Sequence, residues 1–155
     1  MDASSFRERA MVAFPHDSAP LQVVSQIAKE VHDDASTMEQ ALKGQPWTAV
    51  PENVLHDRAK DIVALTLEAF VHYIPAFMCA AVRTPESESA TYAMYALCPT
   101  GNYEDFAKNT CGLFAPKQAE VVAEFLQFLE DDPSFTIFSE EMKPGIELWR
   151  RRAKS

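Results

Sequence analysis

Along most of the chain, apolar residues recur at intervals of three and four positions, the spacing that lines up side chains on one face of a helix. Phe6, Ala10, Ala13 and Phe14 form the first such stripe, with Ser5 and Glu8 spaced as a capping box and Pro15 as a stop. Pro20 is suited to open a second helix, with Leu21, Val24, Ile27, Ala28 and Val31 inward and Gln22, Ser25, Lys29 and Glu30 outward. Ser36 and Glu39 make another capping-box pair, and Gly44 stands where a left-handed residue would close that short helix. Trp47 follows in a loop that so large and stiff a side chain would anchor to the core.

Pro51 opens the next stripe, with Leu55, Ala59, Ile62 and Val63 inward, ending near Leu65. Thr66 then serves as N-cap for residues 67–82, which read LEAFVHYIPAFMCAAV. That segment is apolar around nearly its whole circumference, which places it inside a domain, and Pro75 predicts a kink. It is too short and interrupted to span a bilayer, which takes about 20 apolar residues.

A polar link at 85–89 leads to a short helix over 90–97, packed through Tyr92, Tyr95 and Ala96. The stretch 103–114 follows no clear period, and Phe106 is its expected anchor. Residues 117–131 carry the widest apolar stripe of an amphipathic helix, through Val121, Val122, Phe125, Leu126, Phe128 and Leu129. Asp132-Pro133 and Pro144-Gly145 read as breaks, 135–138 as a short strand without an evident mate, and 146–153 as a last helix anchored by Trp149. Together these segments predict an all-α fold, a single domain over 1–155, built as an irregular bundle of six to eight helices around a central Pro-kinked helix.

A chain of 155 residues can bury roughly two-thirds of its unfolded surface, so it needs no metal or disulfide to fold. Cys79, Cys98 and Cys111 form an odd set without a C-x-x-C pair and read as reduced, structural thiols. The first thirteen residues mix charges and lack the apolar core of a signal peptide, which favours the cytoplasm. A net charge of −9 argues against nucleic-acid binding, since phosphates are met by clustered Lys and Arg. The one basic run, Arg150 to Arg152 with Lys154, suits the end of a helix.

Catalytic chemistry has few footholds. His16, His32, His56 and His72 lie in no metal-binding helical pattern, and His32-Asp33-Asp34 and His56-Asp57 read as solvated helix ends. Glu68 and His72, one turn apart, read either as a satisfied polar pair in the core helix or, with Tyr73, as a small polar pocket. Cys111 lies beside Gly112 in an expected loop, without a visible base. No nucleotide, phosphate or hydrolase fingerprint is present, and neither metal nor cofactor is called for.

The segment Leu65-Thr66-Leu67-Glu68-Ala69-Phe70-Val71-His72-Tyr73-Ile74-Pro75-Ala76-Phe77, preceded by Trp47 and followed by Ala115-Pro116-Lys117-Gln118, resembles a family of small, uncharacterised bacterial proteins. Their central helix carries a Leu-Thr/Ser-x-Glu-Ala-Phe-x-Tyr-Tyr-Leu-Pro-Ala-Phe motif, here with His72 and Ile74 as departures. The resemblance, over roughly residues 10–130, implies an α-helical bacterial domain and carries over no catalytic residue. Small acidic bacterial domains of this kind include immunity proteins, which block a toxin through carboxylates complementary to a basic cleft.

The expectation is therefore a non-enzymatic protein-binding domain, with toxin neutralisation as its sharpest form. Its contacts would come from Asp33, Asp34 and Glu39, or from Glu86, Glu88, Asp131 and Asp132. The alternatives are a regulatory or scaffolding module, as a homodimer, and an enzyme or small-ligand binder built on Glu68, His72 and Tyr73.

Overall fold

The computed structural model describes residues 1–31 and 34–155. Among these residues the regular structure is helical, and the sole β-type pairing is one antiparallel bridge between Val24 and Leu65. Among the described residues there are nine α-helices: α1 (Ala3–Ala13), α2 (Gln26–Val31), α3 (Ala35–Leu42), α4 (Glu52–Arg58), α5 (Leu67–Arg83), α6 (Glu88–Leu97), α7 (Glu104–Cys111), α8 (Pro116–Asp131) and α9 (Ser139–Ala153). The expected all-α bundle is what forms, around α5.

α5 runs from a Thr66 cap, whose hydroxyl oxygen accepts the Ala69 N–H at 3.1 Å, to Arg83. It is continuous through Pro75. Every residue from Tyr73 to Val82 is buried, as an all-round apolar helix requires. α1 and α8 lie against it, with Phe6 meeting Phe125 at 6.2 Å between ring centroids. α6 and α4 pack on its other sides.

The long α8 pairs with α9. Trp149 is buried there, its indole N–H donating to the Leu97 carbonyl at 2.7 Å and its ring standing edge-on to Phe114 at 4.8 Å. Burial of a side chain that size favours folding by about 1.5–3 kcal/mol. The basic last turn does suit a helix end, and Arg152 Nε also donates to the Phe114 carbonyl at 2.8 Å.

Several expected elements differ. α1 starts three residues early, because Asp2 rather than Ser5 caps it, its carboxylate accepting the Ser5 N–H at 2.8 Å. Pro20 opens no helix: Val23 and Val24 are drawn into the core while Leu21 is left 93% exposed. α2 then begins at Gln26 with Ser25 Oγ accepting the Ala28 N–H, so Ile27 and Val31 face outward and Ala28 inward. α3 is flanked by Asp34 rather than a Ser36 capping box, although Gly44 does take the left-handed φ of +78° expected of it.

The stripe from Pro51 tightens to a 3-10 turn over Ala59–Ala64, which turns Val63 toward solvent. Tyr92 likewise faces out, α6 packing through Ala93, Met94, Ala96 and Leu97. Residues 103–114 are mostly α7, so Cys111 ends a helix instead of lying in a loop, and Phe114 rather than the half-buried Phe106 is the deeper anchor. The expected strand at 135–138 is instead part of a 3-10 turn, Pro133–Phe138, and no strand is present among the described residues to pair with it.

α9 runs unbroken through Pro144-Gly145. Pro144 falls within the first turns, and Gly145 is required by contact rather than flexibility, because a Cβ there would lie 2.6 Å from Cys98 Sγ. All three cysteines are free and buried.

Candidate functional site

The N-terminal half of α5 is not covered as its C-terminal half is. Leu67 is 50% exposed, Glu68 is exposed, and Val71 and His72 are half-buried. They form one side of an open cleft of about 430 Å³, completed by Phe14 at the end of α1 and Leu113 after α7. Leu113 is itself 49% exposed. A helix apolar on all sides thus presents an unfilled apolar strip with two polar groups in it.

His72 is fixed in this cleft by a backbone donor. The Trp47 N–H donates to His72 Nε2 at 3.1 Å, so the neutral ring carries its proton on Nδ1. Burial lowers the His72 pKa below 6.5, against a smaller opposing effect of the Glu68 carboxylate, which keeps the ring neutral at pH 7. Trp47 is held in turn: its indole N–H reaches the Phe14 carbonyl at 3.4 Å, the Arg7 guanidinium lies 5.6 Å from its ring centre, and Arg7 Nη2 donates to the Thr48 carbonyl at 3.1 Å. The expected anchoring role of Trp47 therefore extends to orienting a cleft residue.

Glu68 has no hydrogen bond or ion pair among the described residues. The satisfied Glu68–His72 core pair does not form, since one turn into the helix the carboxylate is still in water. Pro75 also lacks the N–H that would ordinarily bond the Val71 carbonyl. Tyr73 is no part of the cleft. It is fully buried on the other side, its hydroxyl donating toward the Leu42 and Gln45 carbonyls, both at 2.7 Å, and burial pushes its pKa up to about 12. The proposed three-residue pocket thus reduces to Glu68 and His72.

The acidic candidates are spread over separate elements. Asp34 pairs with Lys60 at 3.3 Å and Glu39 with Lys29, so α3 offers largely compensated charge. Asp33 lies outside the described residues, as does His32. Glu86 and Glu88, at the start of α6, are exposed and have no ion pair among the described residues. Asp131 accepts from Gln127 Nε2 at 2.9 Å. Asp132 accepts the hydroxyl and N–H of Ser134, which hold its carboxyl below the usual carboxylate range. It works as a cap.

A wider groove, about 1000 Å³, runs between α1, α8 and α9. Several of its polar groups are matched to each other: Arg9 pairs with Glu124 at 2.6 Å, Arg150 donates to Gln127 at 2.9 Å, and Gln127 donates to Asp131, while the exposed Glu120 and Lys154 have no such partner among the described residues. Size favours this groove; the half-exposed Leu67 and Leu113 beside apolar walls favour the α5 cleft. His56 is also engaged, with Nδ1 2.6 Å from Ser89 Oγ and Nε2 3.4 Å from Glu52, and Asp57 takes no part in those contacts. No group of three or more His, Cys, Asp or Glu among the described residues is arranged to hold a metal ion, and no helix among them is long and apolar enough to cross a membrane.

Sequence reasoning reached Glu68 and His72 but missed Leu67 and Leu113. Leu67 was counted with an all-apolar core helix, and Leu113 lay in a stretch without a period. No curated protein and no solved structure matches the chain. A family model does, over residues 25–153, beginning after α1 and reaching through α9, so the chain belongs to the family of unknown function DUF6714.

Proposed function

We propose that this chain is a non-enzymatic protein-binding domain whose contact surface is centred on the uncovered half of α5. The observation that carries this reading is the pair of half-exposed leucines, Leu67 and Leu113, flanking an apolar cleft that also holds an uncompensated carboxylate. Apolar surface rimmed by polar groups is the usual mark of an interaction site. The net charge of −9 suits a basic partner, because complementary charge speeds encounter and fixes orientation. In its sharpest form the partner is a toxin and the domain a bacterial immunity protein that acts in the cytoplasm. The resemblance of the central helix supports a bacterial domain, the acidity a basic partner, and the mixed charges of the first thirteen residues the cytoplasm. Glu86 and Glu88, exposed and without an ion pair among the described residues, follow the far end of α5 from the cleft and add only to the general acidity of the surface.

The ligand-binder or enzyme reading keeps one supporting observation, that the cleft reaches both Glu68 and His72. Against a catalytic role, His72 Nε2 is already occupied by the Trp47 N–H and Tyr73 is sealed away. The test is co-expression with the product of the adjacent gene. Rescue from toxicity and a stable complex are expected, with both lost in Leu67→Glu and Leu113→Glu. Absence of any complex, or a complex indifferent to both substitutions, would overturn the proposal.

A further inference from the structure

We infer that the α5 cleft takes a basic peptide segment of its protein partner, one apolar side chain with a Lys or Arg two positions along. The inference rests on the interaction reading above and names what that surface selects.

The cleft offers three kinds of contact in a short span. Phe14, Leu67, Val71 and Leu113 supply apolar walls. Burying an apolar side chain against them is favourable by roughly 25 cal/mol for each Å² removed from water. Glu68 supplies a carboxylate with neither hydrogen bond nor ion pair among the described residues. His72 supplies Nδ1–H, since Nε2 is committed to the Trp47 N–H at 3.1 Å.

These groups set a polarity for the occupant. A carboxylate bordering apolar walls repels an acidic ligand and gains from an ammonium or guanidinium, the gain rising as water leaves the cleft. The donors, His72 Nδ1–H and the side-chain amide of Gln118, whose Oε1 accepts the Ala115 N–H at 2.9 Å, suit a peptide carbonyl. An extended segment turns adjacent side chains to opposite faces and exposes carbonyls along its length, so with an apolar residue in the cleft it is the residue two positions along that reaches the rim at Glu68. The first turn of α5 does gain from Glu68 through the helix dipole, but that alone would not place apolar walls beside it.

The experiment uses the full chain, ¹⁵N-labelled, at low salt. Two blocked pentapeptides serve as probes, acetyl-Ala-Leu-Ala-Arg-Ala-amide and its charge-reversed counterpart acetyl-Ala-Leu-Ala-Glu-Ala-amide. The basic probe is expected to shift the amide signals of Leu67, Val71 and Leu113 with a fitted Kd, and the acidic probe to leave them unchanged at equal concentration. Glu68→Gln should weaken the basic probe by about 2–5-fold, as for a partly exposed ion pair. Leu67→Glu should abolish its binding. Unchanged circular dichroism in both variants shows that the fold survives.

Equal response to the two probes, or no effect of Glu68→Gln, would overturn the basic-segment inference. So would concentration-dependent shifts without peptide, which would make a second copy of this chain the occupant. If neither probe binds while the partner complex is still lost in Leu67→Glu, the ligand class is wrong and the interaction surface stands. If the partner complex ignores Leu67→Glu and Leu113→Glu, the surface itself is wrong.

Discussion

Both halves of α5 are predominantly apolar, Glu68 and His72 aside, and their surroundings are opposite. From Tyr73 to Val82 the helix is enclosed by α1, α4, α6 and α8, whereas from Leu67 to His72 one side faces the open cleft. Composition alone is therefore a poor guide to where a helix is covered. The neighbours decide, and here they stop short of the first turns. Tyr73 marks the border, since its hydroxyl leaves the cleft side for the Leu42 and Gln45 carbonyls while His72, one residue earlier, stays in it.

Substitutions can test that division, the largest effect first. Phe77→Ala, in the enclosed half, should lower the unfolding free energy by about 3–5 kcal/mol in urea melts, through lost transfer energy and the cavity left behind. A loss under about 1 kcal/mol would mean that the enclosed half is loosely packed. Tyr73→Phe should cost about 1–3 kcal/mol, because two carbonyls lose their shared donor.

Next comes pH. His72 binds its proton less readily in the folded chain than when unfolded, where its value is near 6.5. Its contribution to stability is thus complete above that value and is lost as pH falls through 6.5 toward the lower folded pKa. Protonation would also remove the acceptor for the Trp47 N–H. His72→Gln should flatten this part of the stability–pH curve, read as the difference between wild-type and variant melts from pH 7.5 to 5. An imidazole titration by NMR that gives a value above 6.5 would reverse the sign. Smallest of all, Leu67→Ala should change stability by no more than about 0.5 kcal/mol, as for an exposed site, while weakening partner binding.

How much of this could be read beforehand follows the same border. Strong periodicity located the long helices: α8 within a residue at its start and α5 from its Thr66 cap. It failed where tertiary contacts overrode local pattern. Val23 and Val24 in the core expose Leu21, and α9 continues where Pro-Gly reads as a stop, with Gly145 serving the close approach of Cys98 instead of a turn. At the site, Glu68 and His72 were visible as a polar pair in an apolar run. Their exposure was not, because it depends on Phe14 and Leu113, more than forty positions away on either side.

The enclosed thiols give the molecule a built-in clock. Alkylation needs a thiolate, and burial pushes Cys79 up to about 11 and Cys98 to about 12, so neither reacts at neutral pH while the helices stay closed. Modification by iodoacetamide must wait for an opening event. Its speed at Cys79 and Cys98, followed site by site by mass spectrometry, therefore measures how often the interior breathes, with no probe having to be engineered in.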